Sequence, residues 1–182
     1  MKKITLPLTR ESAASLRAGD AVLLSGVLYT GRDAAHKRLV ALLQEGKELP
    51  FPLEGSTIYY TGPCPPLPGD VIGACGPTTS YRMDAYAPIL LDRGQLGMIG
   101  KGQRNDAVKQ AVLRNGAVYF AATGGAGALL MQSVKSCRVI AFEDLGTEAV
   151  HELVVEDFPV IVALDAAGGD QYADGRKAYE RP

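Results

Sequence analysis

The sequence predicts an α/β fold, a largely parallel sheet with flanking helices, and three observations predict it. Short apolar runs of strand length alternate with helically periodic stretches, the pattern of strands joined through crossover helices. Turn residues punctuate the junctions, among them Gly46, Asn115-Gly116 and the set Pro63, Pro65, Pro66 and Pro68. The chain has 182 residues, 47% of them hydrophobic and 21% charged, enough for one substantial core, so it reads as a single domain over residues 1–182.

Taken in order, residues 21–29 form the first clear strand, with Gly26 a candidate bulge. Asp33 is the expected N-cap of an amphipathic helix that carries Leu39, Leu42 and Leu43 and ends near Gly46. Residues 57–61 and 71–75 read as short strands, and the prolines between them make a rigid connection rather than a linker, so no domain boundary falls there. Residues 96–99, 117–122, 137–142 and 160–164 follow as strands. Residues 106–114 read as a helix stopped by Asn115-Gly116, and residues 127–134 read as helical. The first half of the chain is expected to be the richer in strand.

A formal charge of -1 and a pI near 6.1 give no cationic field for a nucleic-acid backbone, and no basic cluster is interleaved with aromatics. The apolar residues after Met1-Lys2-Lys3 are broken by Pro7, Thr9, Arg10 and Glu11, so no signal-peptide core forms, and no run reaches the length of a membrane span. A cytoplasmic protein is expected. Cys64, Cys75 and Cys137 are an odd number without C-x-x-C spacing, which argues against a disulfide framework and against a metal site within this chain. All three are expected to be buried apolar thiols.

Two arginine-centred segments carry the chemistry, Thr30 to Arg38 and Gly76 to Asp84. Each sets an arginine beside small, hydroxyl-bearing or Gly/Pro positions after an apolar run, where a planar guanidinium can meet a carboxylate through two parallel hydrogen bonds. That pattern points to a site for a small dianion. Arg32 falls at a strand-to-helix turn, where free backbone N–H groups also favour an anion. The alternative is a surface arginine paired with an acidic neighbour. His36 lies four residues on, and an imidazole of pKa near ~6.5 suits proton transfer as well as a partly buried structural role. Thr78 is either a helix cap or a hydroxyl beside the ligand, and Arg82 follows it by four residues. Lys101, between Gly100 and Gly102, is a third cation that either enters the cleft or stays solvated. Three cations overcompensate a dianion, so a negative group is expected to enter from elsewhere, the mark of a composite site.

Other motifs are weaker. Gly124-Gly125-Ala126-Gly127 lacks the third glycine of a dinucleotide fingerprint and reads as a close-packing turn, and no G-x-x-x-x-G-K-[ST] is present. Asp165, Asp170 and Asp174 miss EF-hand spacing and read as a solvated terminal loop.

In order along the chain, Thr30 to Leu39, Gly76 to Tyr86, Lys101-Gly102, Gly124-Gly125-Ala126 and Glu143 to Ala149 resemble the β subunit, or C-terminal domain, of the class I iron–sulfur hydro-lyases, the fumarase and L-tartrate dehydratase group. The resemblance covers nearly the whole chain. It implies the swivelling β/β/α fold and a reversible hydration of a C4 dicarboxylate, with fumarate and malate as the expected pair. The alternatives are an L-tartrate dehydratase β subunit and a non-catalytic dicarboxylate-binding module. It further implies a 4Fe-4S cluster with one open iron, held by cysteines of a partner α subunit in a hetero-oligomer, and no metal ligand on this chain. Carried over residue by residue, it gives Thr78 the proton-transfer position and Arg32, Arg82 and Lys101 the hold on the substrate, with His36 a secondary catalytic candidate. Two departures concern the pocket: Tyr81 stands where the family commonly has a small residue, and Pro88 interrupts the helix that follows.

Overall fold

A computed structural model describes residues 1–177 and 179–181 of the chain. Its strands are β1 (Lys2–Thr5), β2 (Ala21–Thr30), β3 (Thr57–Tyr59), β4 (Gly97–Gly100), β5 (Val118–Ala121), β6 (Val134–Ala141) and β7 (Val150–Leu164). The helices are α1 (Arg10–Ala14), α2 (Asp33–Gln44), α3 (Ala87–Leu91), α4 (Asp106–Asn115), α5 (Gly127–Leu130) and α6 (Gln171–Lys177), with 3₁₀ turns at Ser80–Met83, Met131–Ser133 and Glu143–Glu148.

Among the described residues the strands form one seven-stranded mixed sheet in the order β1-β2-β3-β4-β5-β7-β6, and β7 also pairs with β2. From β1 to β5 each strand runs parallel to the next. β7 is antiparallel to β2, β5 and β6. Because β7 meets β5 on one side and β2 on the other, the path β2-β3-β4-β5-β7 closes on itself around apolar side chains such as Leu24, Leu28, Tyr59, Val118 and Phe158.

This corrects the expected sheet in two respects. The parallel ladder is real, but the longest pairing, from Ala21 opposite Ile161 to Tyr29 opposite Glu152, is antiparallel. The strand-rich half is the second, because β7 runs 15 residues where only its last five were expected. Glu152, Glu156, Asp157 and Pro159 break its apolar pattern, yet β7 accommodates them: Glu156 is exposed, and Glu156-Asp157 bulges opposite Ser25, whose Oγ accepts the Asp157 N–H at 3.0 Å. The register breaks beside Gly26 as expected, but the extra residue belongs to β7.

Local chemistry explains most element ends. The Asn105 side chain accepts the Val108 N–H at the start of α4, and Gly116 in the left-handed region closes it. Asp33 is not the N-cap of α2 but its first residue; Arg32 is the cap and makes no side-chain cap bond. Residues 71–75 are not a strand. Gly73 packs so closely on the carbonyls of Cys64 and Pro65 that a Cβ would lie 2.2 and 2.5 Å from them, so this segment doubles back on the proline arm instead of joining the sheet. Pro88 sits in the first turn of α3, where its missing N–H costs nothing, so the helix simply starts late. Val134 opens β6 rather than ending a helix.

The acidic terminal stretch is solvated at Asp174, as expected, but not at Asp165. Asp165 is 3% exposed and accepts the N–H groups of Ala18, Ala167 and Gly169. Although burial opposes it, these N–H groups hold its carboxyl below the usual range. No helix among the described residues is long and apolar enough to cross a membrane.

Candidate anion site

The parallel strands β2 to β5 all end at the same edge of the sheet, and the loops that leave them carry the segments singled out in the sequence, as expected of a site at strand C-termini. Arg32 follows β2 and opens α2; the Gly31 N–H donates to the Tyr59 carbonyl at 3.0 Å and ties this turn to the end of β3. Gly62, just beyond β3, passes beneath Arg32. A Cβ there would stand 3.2 Å from both Cδ and Nη1 of Arg32 and 2.9 Å from the Thr147 carbonyl, so only glycine lets these three segments meet.

The second segment is laid between the ends of β3 and β4. Its Thr78 N–H donates to the Tyr60 carbonyl at 2.6 Å and its Ser80 N–H to the Lys101 carbonyl at 2.9 Å, with Thr79 bridged to Lys101. Thr78 is half-buried and precedes the cap position, which belongs to Thr79 and makes no side-chain cap bond. A capping role for Thr78 therefore finds no support. Tyr81 is 66% exposed.

The charges meet in pairs. Arg32 Nε lies 3.1 Å from Glu148 Oε1, and Arg82 Nη2 lies 2.7 and 2.9 Å from the two oxygens of Asp33. Lys101 joins this edge through its backbone, bridged to Thr79, and its Nζ lies beside Gly124. The negative charge expected from outside thus comes in part from this chain, through Asp33 and through the Glu143–Ala149 stretch. Glu148 was legible only as part of a motif and carried no expected role. The same stretch supplies Asp144, which Arg38 grips with two nitrogens at 2.7 and 2.5 Å.

His36 is fully buried behind Arg32, with Nδ1 at 2.9 Å from the Arg32 carbonyl. A carbonyl only accepts, so Nδ1 carries the proton. Burial drives the imidazole pKa down to about 4 against the opposing effect of that hydrogen bond, so the ring is neutral at pH 7. Its edge meets Tyr60, with ring centroids 5.2 Å apart. Sequence reasoning missed the next layer altogether. Arg104, its side chain without exposure, pairs with Asp84 at 2.6 Å and lies 5.3 and 5.0 Å from the ring centroids of Tyr60 and Tyr119. Asp84 also accepts the Asn105 N–H. Twenty residues separate the partners, and no local periodicity links them.

The Gly124–Gly127 turn packs closely at its end, where the Cys75 N–H donates to the Gly127 carbonyl and a Cβ on Gly127 would stand 2.8 Å from the Gly76 nitrogen, while Gly125 faces open space. Of the cysteines only Cys75 is buried as expected; Cys137 is half-buried and Cys64 exposed. Burial pushes the Cys75 thiol up to about 11 and raises Cys137 as well. Thiols held protonated do not fit an iron–sulfur cluster, which needs thiolates. Among the described residues no three His, Cys, Asp or Glu side chains are placed to share a metal ion.

Residues 1–175 match the family described as "Fumarase C-terminus". The chain is 40% identical over 149 residues to "Fumarate hydratase class I, anaerobic" of Escherichia coli K12, covering 81% of this chain and 27% of that protein. It is 36% identical over 166 residues to "Fumarate hydratase 2" of Leishmania major, covering 90% and 29% respectively. Against "Putative L(+)-tartrate dehydratase subunit beta" of Methanocaldococcus jannaschii it is 38% identical over 181 residues, 96% of this chain and 93% of that one. The chain thus spans under a third of these two fumarate hydratases and nearly all of the β subunit. The chain belongs to the Fumarase C-terminus family, the β-subunit or C-terminal-domain part of the class I hydro-lyases.

Proposed function

We propose that this chain is the β subunit of a two-subunit class I hydro-lyase that hydrates and dehydrates a C4 dicarboxylate, fumarate and malate being the preferred pair. The observation that carries the reading is the convergence of Arg32, Thr78, Arg82 and Lys101 at one edge of the parallel ladder, in a chain of this family. Arg82 pairs with Asp33, which follows Arg32 directly in the chain, so the two arginines stand near each other and suit the two ends of a short diacid. Lys101 adds a point charge beside them. Thr78 stands at the proton-transfer position, and its backbone is pinned to β3 through Tyr60. His36, buried and neutral, serves by holding the Arg32 carbonyl rather than by moving a proton.

The 4Fe-4S cluster implied by the resemblance belongs, on this reading, to a cysteine-bearing α subunit, because the thiols of this chain do not fit it. The closed strand circuit supports the swivelling β/β/α fold, and one continuous apolar core supports a single domain over residues 1–182. Three free cysteines support a cytoplasmic, reducing location. L-tartrate dehydratase is the second reading, favoured by the near-complete length match to the β subunit.

The test is the reconstituted two-subunit enzyme assayed on malate and on L-tartrate, with Thr78→Ala beside the natural chain. Thr78→Ala is expected to lower kcat by roughly 100-fold with little change in Tm. A fully active Thr78→Ala enzyme removes the proton-transfer role, and turnover of neither diacid removes the reading as a whole.

A further inference from the structure

We propose that Glu148 and Asp33 are built-in stand-ins for the two carboxylates of the ligand: they hold Arg32 and Arg82 between binding events, and a C4 dianion enters by taking their places. The inference rests on the dicarboxylate reading of this site and deepens it, naming two residues that set its selectivity.

The quality of the ion pairs separates them into two kinds. Arg38 with Asp144 and Arg114 with Asp92 are fork-to-fork pairs, each made by two guanidinium nitrogens on two carboxylate oxygens. The site arginines are held differently. Arg32 Nε and Glu148 Oε1 approach to 3.1 Å, yet both atoms are buried without a hydrogen-bond partner, so the pair bears a desolvation cost without the directional bond that offsets it. Arg82 offers a single nitrogen, Nη2, to both oxygens of Asp33. Neither arginine is bound to its internal partner in the two-point geometry that suits it best.

Release of these carboxylates does not loosen the fold, because other contacts anchor the segments that carry them. The Glu143–Glu148 turn is fastened to α2 by the Arg38–Asp144 pair, with the guanidinium of Arg38 5.3 Å from the Phe142 ring centroid. Just beyond it, Thr30 Oγ1 meets the Ala149 carbonyl and accepts the His151 N–H. Asp33 sits in the first turn of a 12-residue helix whose buried face holds it in place. Water also reaches both pairs, at 25 and 26% side-chain exposure for Arg32 and Glu148 and 37 and 36% for Arg82 and Asp33.

Charge gives the exchange its selectivity. Arg32 and Arg82 against Glu148 and Asp33 balance; with both acids turned out, two positive groups face the ligand. A monocarboxylate replaces one acid and leaves the other in place, whereas a diacid of matching span replaces both. After the reaction the two acids return to the arginines and assist release.

Calorimetric titration of the 182-residue chain with succinate, an unreactive C4 diacid, tests this on the natural chain, Glu148→Gln, Asp33→Asn and the double variant. Each carboxamide is expected to tighten binding by roughly tenfold, the double variant by more than either, and propionate to gain less than succinate. In case a variant folds poorly, carboxyl carbon-13 shifts of Glu148 and Asp33 in the natural chain give a second readout, moving towards solvent values as succinate is added. Unchanged or weaker succinate binding in both single variants, no succinate binding by the double variant, or carboxyl shifts that do not move overturn the exchange. Succinate binding that survives Arg32→Lys with Arg82→Lys places the ligand elsewhere and removes the dicarboxylate reading itself; arginine-dependent binding without gain from the carboxamides removes the exchange alone.

Discussion

Arg104 and the pair Arg32 and Arg82 are three arginines near one edge of the same sheet, and their surroundings assign them opposite tasks. Arg104 has no exposed side-chain surface, an Asp84 partner at 2.6 Å and two aromatic rings within 5.3 Å. Nothing from solvent reaches it. Arg32 and Arg82 keep 25 and 37% of their side chains open and face acids that they meet only in part. The difference teaches that charge alone does not mark a ligand group: a guanidinium sealed from solvent among fixed partners holds the fold, and one with an open side can hold a ligand. Tyr60 joins the two classes. Its ring lies against Arg104 and His36, and its carbonyl fixes Thr78.

The largest expected effect comes from breaking the buried side of this comparison. Asp84→Ala leaves Arg104 charged, buried and without its carboxylate, at a cost of about 3–5 kcal/mol in urea unfolding. Replacing both partners, Asp84→Leu with Arg104→Met, should cost less than the single change, because no orphaned charge remains. A loss under about 1 kcal/mol for Asp84→Ala would show that Arg104 finds another partner and that the contrast is overdrawn.

On the open side, Arg82→Lys keeps the charge but loses the planar fork. Transition-state stabilisation should fall by about 2–4 kcal/mol, read as kcat/KM of the reconstituted enzyme, with Tm almost unchanged. Unaltered kcat/KM returns Arg82 to the same standing as the surface pairs.

His36 sharpens the comparison through pH. Its pKa is about 4 in the fold against an unfolded value of 6.5, so between these values the unfolded chain binds the proton that the folded chain refuses. Stability is therefore complete above pH 6.5 and is lost as pH falls towards 4, by on the order of 3 kcal/mol, drawing on burial as the main cause. His36→Gln should flatten that part of the stability profile while leaving the shape of the pH–rate profile intact. A pH–rate profile that loses a limb in His36→Gln would restore a proton-transfer role to this residue.

The smallest effect is expected at Arg114 and Asp92, a two-point pair at 48 and 45% side-chain exposure. Asp92→Ala should cost less than about 1 kcal/mol and leave activity untouched. It shows how little a well-formed pair contributes when water can replace it.

How far the molecule is legible in its sequence follows the range of the forces involved. Where neighbours along the chain decide the outcome, reading succeeds: β2, α2 and α4 follow from apolar periodicity and from Gly46 and Asn115-Gly116, and the tight packing at Gly127 follows from its lack of a side chain. The same locality exposed Arg32, Thr78, Arg82 and Lys101, because each stands among Gly, Pro and hydroxyl residues at a strand end. Failures occur where distant segments arbitrate. β7 was cut short because Glu152, Glu156 and Asp157 look like breaks until the bulge opposite Ser25 and the solvent-facing side are known. Residues 71–75 are apolar enough for a strand, but Gly73 folds them onto Cys64 and Pro65 instead.

By itself, then, the sequence determined most of the alternation of elements and singled out the residues proposed to meet an anion, since these depend on propensity, periodicity and the chemistry of single side chains. Only the tertiary structure decided that the sheet closes through β7, that Arg104 is sealed off with Asp84, that His36 is neutral, and that Glu148 and Asp33 share the two site arginines. Each of those outcomes depends on burial and on contact between residues from 20 to 140 positions apart in all but His36, and desolvation and pairing of that kind have no local signature for a chain to display.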